Sequence, residues 1–241
     1  MATPRARARA LIEQSASNVE GLIRLFEADD LPGRTAAERL RWLLRLTATG
    51  LPGMQMGVFP PDDSGFKAEL ADGRFYFSPR YWSKLLRPEQ RHTSQVGHFL
   101  IAVGLRYNAW PPTVALRLIV GHEKLGDRLL FGFVRQYFRA HHADRRLFLD
   151  AVAADAAGDT ARREAALHQI FGEPGEARRD PLRIGNSVPD LRLSVKGWRF
   201  GEAVRYGQIR TRAEAAGWLR REIYDPARTR SAQPGAAETA G

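Results

Sequence analysis

The 241-residue sequence contains no cysteine, only three methionines and no long apolar run. The absence of cysteine excludes a disulfide framework, a thiolate zinc site, an iron–sulfur cluster and a cysteine nucleophile. The longest uninterrupted apolar run, residues 99–103, is far too short to cross a bilayer. No signal-peptide core follows the start, where Arg5, Arg7 and Arg9 lead into a polar segment. These features predict a cytoplasmic protein without a transmembrane segment.

The charge and the apolar content indicate whether the chain folds and what kind of partner it favours. The chain has 37 Lys and Arg against 27 Asp and Glu, which gives a net charge of +10. With 44% hydrophobic and 10% aromatic residues it can bury a core, so the sequence is not wholly disordered. The positive surplus favours an anionic partner, such as nucleic acid or an acidic protein.

Helical patterns dominate the chain. Thr35 and Glu38 have the spacing of a capping box, in which each side chain bonds the other residue's backbone amide, and Ser17 and Glu20 share that spacing. Apolar residues recur at helical spacing after both pairs. Further helices are predicted at 88–105, 112–125, 128–140, 144–157 and 160–171, and from Ser187 and Thr211 onward.

One segment has a β pattern. Residues 51–65 are rich in proline and glycine and are predicted to form a loop. Apolar residues then alternate with polar ones over 66–77, on both sides of Asp72-Gly73, a pair typical of tight hairpin turns. The predicted fold is therefore a mainly α, multi-helix bundle with one inserted β-hairpin.

The chain is predicted to form a single domain over 1–226, because no linker is long enough to separate two cores. The tail at 227–241 is rich in Ala, Gly, Ser, Pro and Thr and is predicted to be disordered. No internal repeat is recognised. The predicted parts of the domain are the N-terminal helices (1–50), the loop and hairpin (51–86), the central helices (87–171) and the basic C-terminal helices (186–225).

Two histidines define a candidate catalytic cluster. His98 and His122 lie on consecutive predicted helices, and the short connector at 108–112 favours antiparallel packing that places both at a similar height. An imidazole can accept or donate a proton near neutral pH, and the carboxylate of Glu123 can orient it. The same residues fit an ordinary helix interface in which the histidines only pack and form hydrogen bonds. The sequence leaves both interpretations open.

Motifs for cofactors and metals are missing. The sequence has no Gly-x-Ser-x-Gly elbow, no phosphate loop, and no dinucleotide fingerprint after a predicted strand. His122 and Glu123 begin like the zinc-protease motif, but Gly126 stands where that motif needs its second histidine. We therefore predict neither a metal nor a cofactor.

The C-terminal region carries most of the positive surplus. Residues 176–230 hold thirteen Lys and Arg against seven Asp and Glu, a balance of +6. Arg192, Lys196 and Arg199 recur at helical spacing, with Arg205 further along, and such a row can follow a phosphate backbone. It also fits a membrane surface, an acidic partner or a plain solvated face. The neighbouring rings that can stack on exposed bases are Trp198, Tyr206, Trp218 and Tyr224.

Two functions of different classes are consistent with these features. The first is a non-catalytic binding or assembly module that contacts nucleic acid or an acidic protein through the basic helices. The second is a hydrolase or transesterase acting on an anionic polymer, with His98 and His122 as base and acid and Glu123 as the orienting carboxylate. The first is preferred because it depends on fewer weak motifs. The oligomeric state cannot be inferred from the sequence.

Overall fold

A computed structural model describes residues 3–15, 18–46, 96–125, 142–171 and 188–223. These ranges are mainly helical, as predicted, and contain one isolated β-bridge. None of the helices in these ranges is long and apolar enough to cross a membrane. The helices are α1 (Pro4–Glu13), α2 (Asn18–Glu27), α3 (Ala36–Leu46), α4 (Val96–Tyr107), α5 (Pro112–Leu125), α6 (His142–Ala156), α7 (Thr160–Phe171), α8 (Val188–Arg205) and α9 (Arg212–Glu222).

Several predicted features lie outside the described residues. They are the hairpin at 66–77, the helix at 128–140, the tail at 227–241 and the Ser17 side of the first capping box. These features stay predictions.

The chain divides into two compact units. The terminal unit comprises Met1–Ser78 and Ile209–Gly241, and the central unit comprises Pro79–Gln208. The prediction of one domain over 1–226 stays a prediction, and each unit is described by itself.

In the terminal unit, α2 packs against α1 and α9, and α3 also contacts α9. The apolar faces of these helices form the core, with Leu25, Phe26, Leu43 and Leu219 almost fully buried. Burial of such side chains is the main term that stabilises the fold, at about 1.5–3 kcal/mol for each.

A buried cation joins α2 to α3. Arg39 has no exposed surface, although it lies on the apolar side of α3 between Ala36 and Leu43. Burial and the positive charge of Arg212 lower the pKa of Arg39 to about 10, so the side chain stays charged at neutral pH. Its guanidinium donates hydrogen bonds to the backbone carbonyls of Leu25, Ala28, Leu31, Pro32 and Gly33. Arg39 thereby satisfies the carbonyl of Leu25 in the last turn of α2 and the carbonyls of the segment that leads from α2 to α3.

In the central unit, α4 packs most extensively against α8, and α6 packs against α7. Two glycines of α8 allow the close approach to α4. A Cβ on Gly197 would overlap the carbonyl oxygen of Phe99, and one on Gly201 would lie 2.6 Å from the carbonyl oxygen of Val103. The backbone of α4 therefore occupies the space where these two residues lack a side chain.

Candidate functional site

Three cations on α8 (Arg192, Lys196 and Arg199), here called the basic row, face carboxylates of the same unit. Asp155 of α6 has a side chain only 1% exposed. Its Oδ1 accepts a hydrogen bond from Arg163 at 2.6 Å and lies 2.9 Å from Nζ of Lys196, while Arg199 donates to Oδ2. One buried carboxylate therefore binds three cations from two helices. We call these four residues the Asp155 cluster.

The remaining member of the basic row binds a second carboxylate. Nε of Arg192 donates to Oε1 of Glu164 on α7 at 2.9 Å, and a second guanidinium nitrogen donates to Oε2. This is the two-point geometry that arginine forms with carboxylates. Glu164 also pairs with Arg163 at 2.7 Å, so the two carboxylates and their cations form one continuous network across α6, α7 and α8.

The network keeps both acids ionised. Burial raises the pKa of Asp155, but the hydrogen bonds from Arg163, Lys196 and Arg199 outweigh burial and hold the pKa below its ordinary value. The hydrogen bond from Arg192 lowers the pKa of Glu164 most. All three cations of the predicted anion-binding row thus have carboxylate partners inside the protein.

The fourth predicted cation, Arg205, lies on the surface. It ends α8, and the next residue, Tyr206, is 59% exposed. The guanidinium of Arg205 lies 5.7 Å from the centre of the Tyr206 ring and donates to the backbone oxygen of Tyr107 at 3.1 Å. Arginine has five donor hydrogens, so this bond leaves most of them for other partners.

A helix cap fixes the backbone of Tyr206. Gln208 donates to the carbonyl of Ala203 at 2.8 Å, and Gly207 donates to the carbonyl of Val204 at 3.3 Å. With Gly207 at a φ of 71°, these two bonds form a Schellman motif in which Tyr206 is the C-cap residue. The cap therefore fixes the backbone conformation of the residue that carries the exposed ring.

A second arginine supports the ring from the interior. The guanidinium of Arg106, on α4, lies 5.5 Å from the ring centre of Tyr206 and 5.2 Å from that of Trp198. Arg106 also pairs with Glu202 on α8. We call Arg106, Arg205 and Tyr206 the Tyr206 surface. Because Glu202 compensates one of the two cations, this surface has a net charge of +1.

The predicted catalytic residues lie on the backbones of α4 and α5. His98 is in the first turn of α4, and His122 and Glu123 are in the last turn of α5. Their side chains lie outside what the structure describes, so their convergence stays a prediction. α4 and α5 contact each other, and the more extensive partner of α4 is α8. In the described ranges, no group of three or more His, Asp or Glu side chains is arranged to hold a metal ion.

Sequence reasoning missed both carboxylates of the network. Asp155 follows Phe148 and Ala151 at helical spacing, and both of these residues are fully buried. An acid on the buried face of a helix needs a partner, because an unpaired buried charge is costly. The position of Asp155 on this stripe was the available signal that nearby cations are structural.

The protein was compared with family models, curated proteins and solved structures, and nothing matched.

Proposed function

We propose that this protein is a non-catalytic nucleic-acid-binding module, and that its central unit binds single-stranded nucleic acid at the Tyr206 surface. The observation that carries the proposal is an exposed tyrosine ring, held at a helix cap, with two guanidinium groups within 6 Å of its centre. Aromatic rings beside arginines are the elements that bind unpaired bases and their phosphates.

The energies of these contacts favour a single strand. An unpaired base that stacks on an aromatic side chain contributes about 1–3 kcal/mol, and every base has a face that can stack. In a duplex, the bases already stack on one another and do not expose these faces. Arg205 supports the same ligand because its exposed guanidinium can pair with a phosphate next to the stacked base.

The basic row adds little to this proposal. Lys196 and Arg199 are 14% and 19% exposed, and both are bound to Asp155. A phosphate would have to replace an existing ion pair in order to bind them. Arg192 is 38% exposed, but its guanidinium is already engaged at two points by Glu164. We therefore assign the nucleic-acid contact to the end of α8 and a structural role to its middle.

An acidic protein partner and the hydrolase are the alternatives. An acidic peptide would use Arg205 but would not need an aromatic ring to stack on. The hydrolase would need His98, His122 and Glu123 to converge, and their side chains lie outside the part of the chain that the structure describes. No specific observation favours either alternative.

The test is the affinity for a fluorescently labelled oligonucleotide of about 12 nucleotides, measured by anisotropy. Tyr206→Ala removes the stacking ring and is expected to weaken binding about 5- to 100-fold. Tyr206→Phe keeps the ring and is expected to bind within about twofold of the parent, since stacking needs only the aromatic face. Arg205→Ala is expected to reduce the slope of log affinity against log salt by about one.

Arg162→Ala is the matched control, because it removes an exposed arginine of the same unit that pairs with Asp150. Its oligonucleotide affinity should equal that of the parent. The proposal fails if Tyr206→Ala binds as the parent does, or if an acidic peptide binds and the oligonucleotide does not.

A further inference from the structure

The terminal unit contains a repeated sequence element. Residues 34–45 and residues 210–221 align without gaps, and seven of the twelve positions are identical. The first copy spans the start and body of α3, and the second spans the same parts of α9. The identical pairs are Arg34/Arg210, Thr35/Thr211, Ala37/Ala213, Glu38/Glu214, Trp42/Trp218, Leu43/Leu219 and Arg45/Arg221.

The two copies also share their local structure. In the first, Glu38 donates its amide to Oγ1 of Thr35 at 3.2 Å, and its carboxylate accepts from the amides of Arg34 and Thr35 at 2.9 and 3.1 Å. In the second, the same three bonds join residues 210, 211 and 214 at 3.1, 2.7 and 3.0 Å. These backbone bonds lower the pKa of both glutamates. The repeat therefore extends from the sequence to the hydrogen bonds.

A β-bridge joins the two copies. Thr35 and Thr211 form an isolated antiparallel bridge, in which the amide of Ala36 donates to the carbonyl of Arg210 at 2.9 Å. Antiparallel pairing relates two equivalent backbones by a local two-fold axis at the bridge. Both helices consequently begin at the bridge and run away from it as two related arms.

The arginines at equivalent positions are exposed. This holds for the pair next to the bridge, Arg34 and Arg210, and for the pair near the helix ends, Arg45 and Arg221. Arg34 lies just before α3, and Arg45 lies nine residues after the first residue of that helix, Ala36, which is about 14 Å along the helix axis. Each arm thus has an exposed arginine at both of its ends.

The carboxylates of the terminal unit are largely engaged elsewhere. Glu38 and Glu214 cap their own helices, and others bind specific arginines of the unit. Among the residues that the structure describes, no carboxylate lies within ion-pair distance of Arg34, Arg45 or Arg221. Ion pairs that use arginines outside the seven identical positions include Glu20–Arg24, Glu27–Arg220, Asp29–Arg212 and Asp30–Arg7.

We propose that the repeated element forms a second nucleic-acid surface, in which Arg34 and Arg45 of one arm and Arg210 and Arg221 of the other bind the phosphates of a duplex. The two backbones of a duplex run antiparallel and are related by local two-fold axes, and two-fold proteins bind duplexes by matching that symmetry. Arginine suits phosphate because its planar fork can donate two parallel hydrogen bonds. This surface is independent of the Tyr206 surface and differs from it in ligand.

The test uses the full chain and a labelled duplex of about 20 base pairs, titrated at several salt concentrations. Two double variants, Arg34→Ala/Arg45→Ala and Arg210→Ala/Arg221→Ala, each remove the arginines of one arm. Because the arms are equivalent, each variant is expected to weaken duplex binding by a similar factor, about tenfold, and to lower the salt slope by about two. Tyr206→Ala is expected to leave duplex affinity unchanged.

Arg7→Ala/Arg24→Ala is the control, because it removes the same number of charges from the same unit but takes them from arginines that are paired with carboxylates. It should bind the duplex within about twofold of the parent, since it removes no proposed phosphate contact. The proposal is overturned if only one arm affects binding, if the control loses as much as the arm variants, or if Tyr206→Ala abolishes duplex binding. Urea unfolding of each variant verifies that the terminal unit is folded.

Discussion

Replacing Asp155 with alanine should strongly destabilise the central unit. The change removes a carboxylate that is 1% exposed and leaves the cations of Arg163, Lys196 and Arg199 in place. Arg163, Lys196 and Arg199 all lose the carboxylate on which they converge, and Arg163 keeps its contact with Glu164 at 2.7 Å. The side chains of Lys196 and Arg199 are only 14% and 19% exposed, so water replaces that carboxylate poorly.

The expected loss follows from this geometry. Removing one partner from a buried ion pair costs about 3–5 kcal/mol, mainly because the remaining charge stays buried without compensation. The free energy of unfolding of a small domain is about 5–15 kcal/mol in total, so Asp155→Ala is expected to remove a large fraction of it. Urea denaturation followed by far-UV circular dichroism measures the free energy of unfolding.

The contribution of Asp155 to the free energy of unfolding is expected to depend on pH. The folded-state pKa of Asp155 lies below its ordinary value of 3.8, so the ionised carboxylate stabilises the fold fully above that value. This stabilisation is lost as the pH falls through the folded-state pKa. The difference in unfolding free energy between the parent and Asp155→Ala should therefore be largest near neutral pH and shrink in acid.

Asp150→Ala provides the control on the same helix. Asp150 also joins α6 to α7, through Arg162, but the side chains of that pair are 36% and 59% exposed. Solvent-exposed ion pairs contribute little, so the urea midpoint should stay close to that of the parent. Equal midpoints for Asp155→Ala and Asp150→Ala would refute the structural role of the cluster.

Two further substitutions test helix packing and the buried cation. Gly197→Ala should destabilise the protein by about 1–3 kcal/mol, because its Cβ would overlap the backbone of Phe99. Gly217→Ala should stabilise it by about 0.5–1 kcal/mol, because the nearest atom to its Cβ is the flexible end of Arg221, 3.4 Å away. Urea unfolding measures both changes. A Gly197→Ala variant as stable as the parent would contradict the α4–α8 geometry, and a destabilised Gly217→Ala variant would contradict the open surroundings of Gly217. Arg39→Lys should lower the free energy of unfolding by about 2 kcal/mol or more, because an ammonium group cannot reproduce the guanidinium fork that binds five carbonyls. A variant whose thermal unfolding midpoint equals that of the parent would contradict this prediction.

Local patterns in the sequence predicted local structure well. The predicted capping box at Thr35 is present, a helix begins after Thr211 as predicted, and α7 has the predicted bounds of 160–171. The prediction that α4 would end at residue 105 was two residues short. The helix continues to Tyr107 and closes where Ala109 adopts a φ of 57° before Pro111. Each of these features depends on residues within one or two turns of one another.

Features that depend on distant residues were not predictable in this way. The spacing of Lys196 and Arg199 is the same for a phosphate-binding row and for an ion-pair network. Only the fold brings them to Asp155, about forty residues earlier in the chain. The repeat was missed for a related reason, since its copies are short and 176 residues apart, and the bridge between Thr35 and Thr211 is what reveals their relationship.

The most direct test of the account compares Lys196→Met with Arg205→Met, because the central claim is that cations of one helix have different roles. Methionine keeps an apolar stem and removes the charge in both cases. Lys196→Met should lower the urea midpoint while the folded protein binds the single-stranded oligonucleotide as the parent does. Arg205→Met should keep the urea midpoint and weaken oligonucleotide binding. The account is contradicted if Lys196→Met weakens binding at an unchanged midpoint, or if Arg205→Met binds like the parent.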